Sequence, residues 1–372
     1  MAHDSTSNRS NLPLAEHLAG VLEDAGATVD LGYSSASGKV NLVARIGPDV
    51  DSDSGLVLSG HMDTVPAEEP DWNSNPFTLT DGGDRWFGRG SCDMKGFLAL
   101  AAAAVGRHAS VELTAPLCLL FTYDEEVGCL GAAAFCDSWP QDRHLPRSVV
   151  VGEPTEMKVV RMHKGHLRAR VVLRGVSAHS GYPHRGRSAI EPAASILTAL
   201  RELREELESE RPGNHEFFPE VPYVALNVGR IRGGSAINVI PDSCVIDVGL
   251  RLLPGMEVAD CMPRVTRAVE AVSDPDTTEI ELVHESPPLL LDDRASIHSS
   301  LCGLIGQTET HSVSYGSDAG TFDRLGLECA LFGPGSIEVA HRPNEFLPKD
   351  EFQRADEILD TLIHQFCVEG RA

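Results

Sequence analysis

The chain has 372 residues, 42% of them apolar, which is enough for two cores of ordinary domain size. Its 31 basic and 55 acidic residues leave a formal charge of -24, which argues against nucleic acid or an anionic membrane as partner. Nine scattered cysteines, odd in number and without a CxxC pair, argue against a disulfide scaffold and predict reduced, mostly buried thiols in a cytoplasmic protein.

The first dozen residues are polar (His3, Asp4, Ser5, Thr6, Asn8, Ser10, Asn11) and lack the apolar core of a signal peptide. Leu14, Leu18, Val21 and Leu22 recur at helical spacing, so residues 11–25 read as an amphipathic helix that stops at Gly26. Residues 40–46 and 55–59 read as strands. Residues 71–89, rich in Asp, Gly, Asn and Pro, read as a loop with a short hairpin. Residues 94–105 form a small-residue helix suited to close packing on a sheet. Its alanine-rich part, 99–105, is too short to span a bilayer. Residues 115–122 are a near-continuous apolar strand, as in a parallel sheet covered on both faces. A helix over 131–137 and a strand over 147–151 follow. The alternation predicts an α/β fold, with a mostly parallel central sheet sandwiched by helices.

The pattern then changes. Residues 165–174 alternate through Leu167, Ala169, Val171 and Leu173, the mark of a strand with one wet face. A helix over 188–210, strands over 223–231 and 243–252, a helix over 258–272 and a strand over 279–284 complete a β-α-β-β-α-β order. That is the order of a ferredoxin-like module. The expected organisation is a first domain, 1–163, an inserted α+β domain, 164–285, and a return to the first domain, 286–372. A helix over 350–367 closes the chain.

Five ligand-rich segments punctuate this pattern. Gly60-His61-Met62-Asp63-Thr64-Val65-Pro66 follows the apolar run Leu56-Val57-Leu58. Alternation puts His61 and Asp63 on one face, where the carboxylate can accept the imidazole N–H and set the metal-binding tautomer. Asp93 lies just ahead of the small-residue helix, where a carboxylate can cap the helix or bridge two cations. Tyr123-Asp124-Glu125-Glu126 follows a buried strand, and three adjacent acids there repel one another unless cations offset them. Adjacent glutamates also allow one to bind metal while its neighbour handles protons. Glu153 follows the next strand, and His341 follows Leu331-Phe332-Gly333-Pro334-Gly335.

Taken singly, each segment has a structural reading: a cap, a wet strand end, a packed histidine. Together they predict a cage of imidazole and carboxylate beyond strand ends, suited to zinc, cobalt or manganese and to a two-metal hydrolase.

These motifs, with Cys92-Asp93-Met94-Lys95-Gly96, Asp124-Glu125-Glu126-Val127-Gly128 and Gly152-Glu153-Pro154-Thr155, resemble the dinuclear-metal aminoacylase and carboxypeptidase family over nearly the whole chain. The resemblance implies two divalent ions per chain, Zn2+ or Co2+. His61 and Glu153 hold one, Glu126 and His341 hold the other, and Asp93 bridges them. It implies that Asp63 orients His61 and that Glu125 is the general base and acid. In the inserted domain it implies that His179 reaches a substrate carbonyl, often in the partner's site, and that the domain makes a homodimer. Asn238 and Arg251 match positions that grip a substrate carboxylate. Tyr315-Gly316-Ser317-Asp318 matches a substrate-side loop, with Ser317 as a contact. The implied substrate is a small N-acyl amino acid, with neither nucleic acid nor membrane as partner.

Overall fold

The computed structural model describes residues 1–34, 38–49, 53–67, 70–140 and 142–370. The chain opens with α1 (Leu12–Asp24), β1 (Thr28–Tyr33), β2 (Val40–Ile46), β3 (Leu56–His61), β4 (Thr80–Asp81) and β5 (Arg85–Phe87). Next come α2 (Lys95–His108), β6 (Leu117–Thr122), α3 (Leu130–Ser138), β7 (Ser148–Val151) and β8 (Val160–His163). The middle runs β9 (Gly165–Arg174), β10 (Ala178–His179), α4 (Ala193–Ser209), β11 (Ala225–Gly233), β12 (Val239–Ile240), β13 (Ser243–Leu252), α5 (Val258–Glu270) and β14 (Thr278–Ser286). The end holds β15 (Leu289–Leu290), α6 (Ser296–Ile305), β16 (His311–Val313), α7 (Ala319–Phe322), β17 (Glu328–Leu331), β18 (Phe346–Pro348) and α8 (Lys349–Ile363).

Two compact units emerge. Met1–Arg161, Leu291–His311 and Ser317–Ala372 form the first, and Met162–Leu290 with Ser312–Gly316 form the second. The second unit ends at Leu290 rather than 285 because β14 runs to Ser286 and β15 pairs with Met162 and His163 of β8. Residues 312–316 also belong to it, an excursion that strand and helix alternation does not signal.

In the first unit the sheet runs β1-β2-β6-β3-β7-β17-β8. The central β6, β3, β7 and β17 are mutually parallel, and the flanking pairs are antiparallel. Leu56 and Leu58 of β3 and Leu117, Leu119 and Phe121 of β6 share one core with α1, α2, α6 and α8. Their alternate neighbours point the other way, as strand geometry demands. On α2, Ala101 and Ala104 are fully buried, so the helix backbone can approach the sheet closely. β1, like β8 and β17, is a strand that periodicity does not announce. It lies at the sheet edge and carries Asp30 and Gly32 in a mostly exposed run.

In the second unit the sheet order is β11-β13-β9-β14, all antiparallel. With α4 and α5 this is the ferredoxin-like arrangement that the element order predicts. Leu167, Ala169, Val171 and Leu173 pack with Ile196, Leu200, Leu203 and Leu207 of α4 and Val265 and Val269 of α5. The helix expected from 188 starts at Ala193, because Pro192 disfavours a helical residue before it.

Candidate metal centre

His61 is the last residue of β3, Glu125 and Glu126 lie just past Thr122 of β6, and Glu153 lies two residues past Val151 of β7. β17 ends at Leu331 and leads through Gly333-Pro334-Gly335 toward His341. Since these four strands are parallel and adjacent, their carboxyl ends share one edge of the sheet. That topology gathers side chains up to 280 positions apart, counting from His61 to His341. Glycine permits the tight approach there: a Cβ on Gly152 would lie 1.9 Å from the Phe97 ring, and one on Gly333 would lie 2.6 Å from the Glu153 carbonyl.

Asp93 sits at the centre. Its Oδ1 lies 2.9 Å from Nε2 of His61, and its Oδ2 lies 3.2 Å from Nε2 of His341. His341 Nε2 is also 3.0 Å from Glu126 Oε1. Ligand atoms of His61, Asp93 and Glu126 fall within 4.8 Å of one another. His341 holds φ at +60°, a left-handed conformation uncommon for a non-glycine residue.

Asp63 acts differently from the expectation. His61 Nδ1 donates to the Asp63 main-chain carbonyl at 3.0 Å, while the Asp63 carboxylate is 3.6 Å away. Nδ1 is thereby fixed as a donor, so Nε2 is the nitrogen that faces Asp93 and would turn to an ion. The carboxylate instead accepts the N–H groups of Glu125 at 3.0 Å and Glu126 at 3.3 Å. Asp63 therefore orders the loop of the two glutamates with its side chain and orients His61 with its backbone.

Glu345 is a residue that reading the sequence leaves without a role. It is 1% exposed. Its carboxylate accepts the N–H of Gly90, Cys92 and Asp93 at 2.8 to 3.0 Å and pairs with Arg89 at 2.7 Å. Glu345 thus builds the loop that presents Asp93. The available signal was its place four residues after His341, in a segment already rich in ligand types.

Charge is concentrated here. Burial pushes the Glu125 and Glu153 carboxyls well above the usual carboxylate range, with neighbouring acids adding to it. Burial and the Asp93 charge likewise raise Glu126. For Asp93, burial works upward, but hydrogen bonds from His341 and His61 overcome it and hold the carboxyl low. Bonds to Asp93 and Glu126 lift the His341 imidazole to about 10. Burial would lower His61, yet its bond to Asp93 and the surrounding carboxylates hold it well above its ordinary value. Two imidazoles and four carboxyls crowded in this way fit divalent cations, whose charge offsets the acids' repulsion and whose chemistry accepts both donor types.

Asp318 adds a further buried carboxyl. Its Oδ2 accepts the Thr122 hydroxyl at 2.5 Å, and burial pushes the group up to about 6. Ser317 is fully buried and its Oγ accepts the Ala319 N–H at 3.3 Å, so its hydroxyl serves the loop rather than an open surface.

In the second unit, His179 pairs with Val239 across the two-stranded β10–β12 sheet and is exposed. Gly181 N–H donates to His179 Nδ1 at 3.0 Å, which leaves the ring proton on Nε2. Asn238 accepts the Ser180 N–H through its main-chain carbonyl and is exposed. Arg251, on β13, lies opposite His166 of β9, and its charge helps drive His166 down to about 3, after burial.

A mostly parallel central sheet with a buried His61, an exposed His341 and clustered carboxylates beyond its strand ends fits a metal-dependent hydrolase. Residues 57–365 match the family described as Peptidase family M20/M25/M40. The chain is 37% identical over 376 residues to the acetylornithine deacetylase of Pectobacterium carotovorum subsp. carotovorum (strain PC1), covering 98% of this chain and 94% of that protein. It is 34% identical to the acetylornithine deacetylase of Proteus mirabilis (strain HI4320), covering 100% and 94%. Its fold is similar to that of an M20 family metallo-carboxypeptidase, Sso-CP2 from Sulfolobus solfataricus, with a TM-score of 0.76, 18% identity, and 97% and 96% of the two chains covered. A dinuclear metal binding peptidase of the M20 family from Bacillus subtilis aligns with a TM-score of 0.66 at 15% identity, covering 97% and 94%. The chain belongs to Peptidase family M20/M25/M40 and is a metal-dependent amidohydrolase. No helix among the described residues is long and apolar enough to cross a membrane.

Proposed function

We propose that this amidohydrolase removes the acetyl group of N2-acetyl-L-ornithine, releasing acetate and L-ornithine in arginine biosynthesis. The chemistry rests on one observation above the others: the two oxygens of Asp93 are divided between two imidazoles, as a carboxylate bridging two cations requires. The substrate rests on the relatives at 34 to 37% identity.

His61 and Glu153 would hold one ion, His341 and Glu126 the other, and Asp93 both, with Zn2+ or Co2+ as the ions. Such a pair supplies Lewis acidity to the amide carbonyl and lowers the pKa of water to about 7. Glu125 takes a proton from the attacking water and delivers it to the leaving amine as the C–N bond breaks. A carboxyl raised by burial suits that shuttle. His179 donates from Nε2 to the developing oxyanion. Arg251 binds the α-carboxylate as a bidentate fork, which a lysine could not reproduce, and Asn238 assists it. Asp318 and Glu338 are our candidates for the charge that attracts the substrate's ammonium. The active form is a cytoplasmic homodimer joined through the second unit.

The deciding experiment is a panel of N-acyl amino acids, ranked by kcat/KM on metal-reconstituted protein. Acetylornithine should lead. A preference for succinyl over acetyl groups overturns the substrate assignment and favours desuccinylation. Absence of turnover with bound metal favours a binding protein on the same fold.

His179→Ala should lower kcat about 100- to 1000-fold, the usual effect of losing one oxyanion donor. Metal content should stay at the wild-type level. Mixing this variant with Glu125→Gln should restore partial activity if the histidine acts across a dimer. No recovery in mixed dimers places it within its own subunit.

A further inference from the structure

Asp124 precedes the two glutamates of the site and has no part in the chemistry assigned so far. It is 7% exposed and holds φ at +52°. Aspartate is among the few non-glycine residues that tolerate this left-handed turn. Its carboxylate is held by Lys39 Nζ in a short ion pair. Lys39 is itself 9% exposed, and its ammonium also donates to the main-chain carbonyl of Ser7 at 2.7 Å. The Ser7 hydroxyl donates to Asp63 Oδ2 at 2.7 Å. Asp63 in turn accepts the N–H groups of Glu125 and Glu126.

These bonds close a ring: Lys39 to Asp124, along the backbone to Glu125 and Glu126, across to Asp63, then Ser7, and back to Lys39. A buried ammonium is costly unless paired, so its position is tightly dictated by its two partners. Cys129 Sγ, 3.5 Å from Glu125 Oε1, holds the side chain of the same residue from another side. The ring joins four segments distant in sequence: the chain start, the approach to β2, the β3 exit and the β6 exit.

We propose that Lys39 is a positioning residue for Glu125, acting through Asp124 and Ser7 to fix the turn that aims the proton-carrying carboxylate. This inference rests on the reading of Glu125 as the proton shuttle. A displacement of about 1 Å at such a group can cost on the order of 100-fold in rate without touching substrate affinity.

The test uses Lys39→Met, Lys39→Arg and the double variant Lys39→Met with Asp124→Asn. Each is assayed for kcat, KM, bound metal and Tm, beside Glu125→Gln. Lys39→Met should lower kcat by about 30- to 100-fold, with KM within about threefold and metal content unchanged. Lys39→Arg should recover part of that loss. The double variant leaves no unpaired buried charge, so its Tm should return toward wild type while kcat stays low. Recovery of kcat together with Tm in the double variant overturns the proposal, because the pair is then purely structural. A rise in KM at unchanged kcat, or loss explained by missing metal, also overturns it. If Glu125→Gln is inactive while Lys39→Met is fully active, the ring proposal alone fails. If Glu125→Gln is active, the proton-shuttle reading fails instead.

Discussion

Glu125→Gln should bind both metal ions at the wild-type level and lose on the order of 1000-fold in kcat, within the usual range for removing a general acid-base group. The amide is isosteric with the carboxylic acid, so the fold and the N–H contacts to Asp63 should persist. What disappears is a site that can take a proton from water and return it to the amine. Among the described residues Glu125 makes no hydrogen bond to Asp93, His61 or His341, whereas Glu126, one residue on, lies 3.0 Å from His341. Adjacent residues thus divide the labour because successive side chains leave the loop in different directions. Metal analysis paired with steady-state kinetics checks the division. A variant that keeps a tenth of the wild-type rate, or that loses metal in proportion to rate, would refute it.

Glu345→Gln should be the most damaging single change to the scaffold of the site. The carboxylate collects three backbone N–H groups and the Arg89 guanidinium while 1% exposed. Glutamine has one acceptor oxygen, and its amide N–H2 would face backbone donors that then go unsatisfied. Breaking a buried pair from one side typically costs about 3 to 5 kcal/mol, because the surviving charge loses its compensation. The loss should be visible as a lowered urea midpoint at unchanged slope. Since the loop it orders carries Asp93, metal affinity should fall as well. A variant with wild-type stability and metal content would show that the loop holds itself.

The two predictions differ in what made them possible. Glu125 stands out in the sequence, in a run of acids after an apolar strand. Glu345 does not, because four contacts at 2.7 to 3.0 Å from positions more than 250 residues away leave no local trace.

The same contrast runs through the fold. Apolar runs and periodicity located β2, β6, β9, β13 and the two helices of the second unit, because burial on one or both faces imprints directly on residue order. β1 escaped, since an exposed edge strand carries no such imprint. The helical pattern ahead of α4 extends past Pro192, but the proline ring stops the helix there.

The amino-acid order by itself determined the class of chemistry: which residues can ligate a metal, that all of them but Asp93 follow an apolar run, and that the middle of the chain forms a separate module. Only the tertiary structure decided who meets whom. Parallel pairing brings His61, Glu126, Glu153 and His341 to one sheet edge, and it turns Asp63 toward the Glu125 loop rather than toward His61. It also recruits Glu345, Lys39 and Ser7. Local sequence is governed by burial and backbone preference over a few residues. A hydrogen-bonded ring is governed by the spacing of strands and loops that topology alone places side by side.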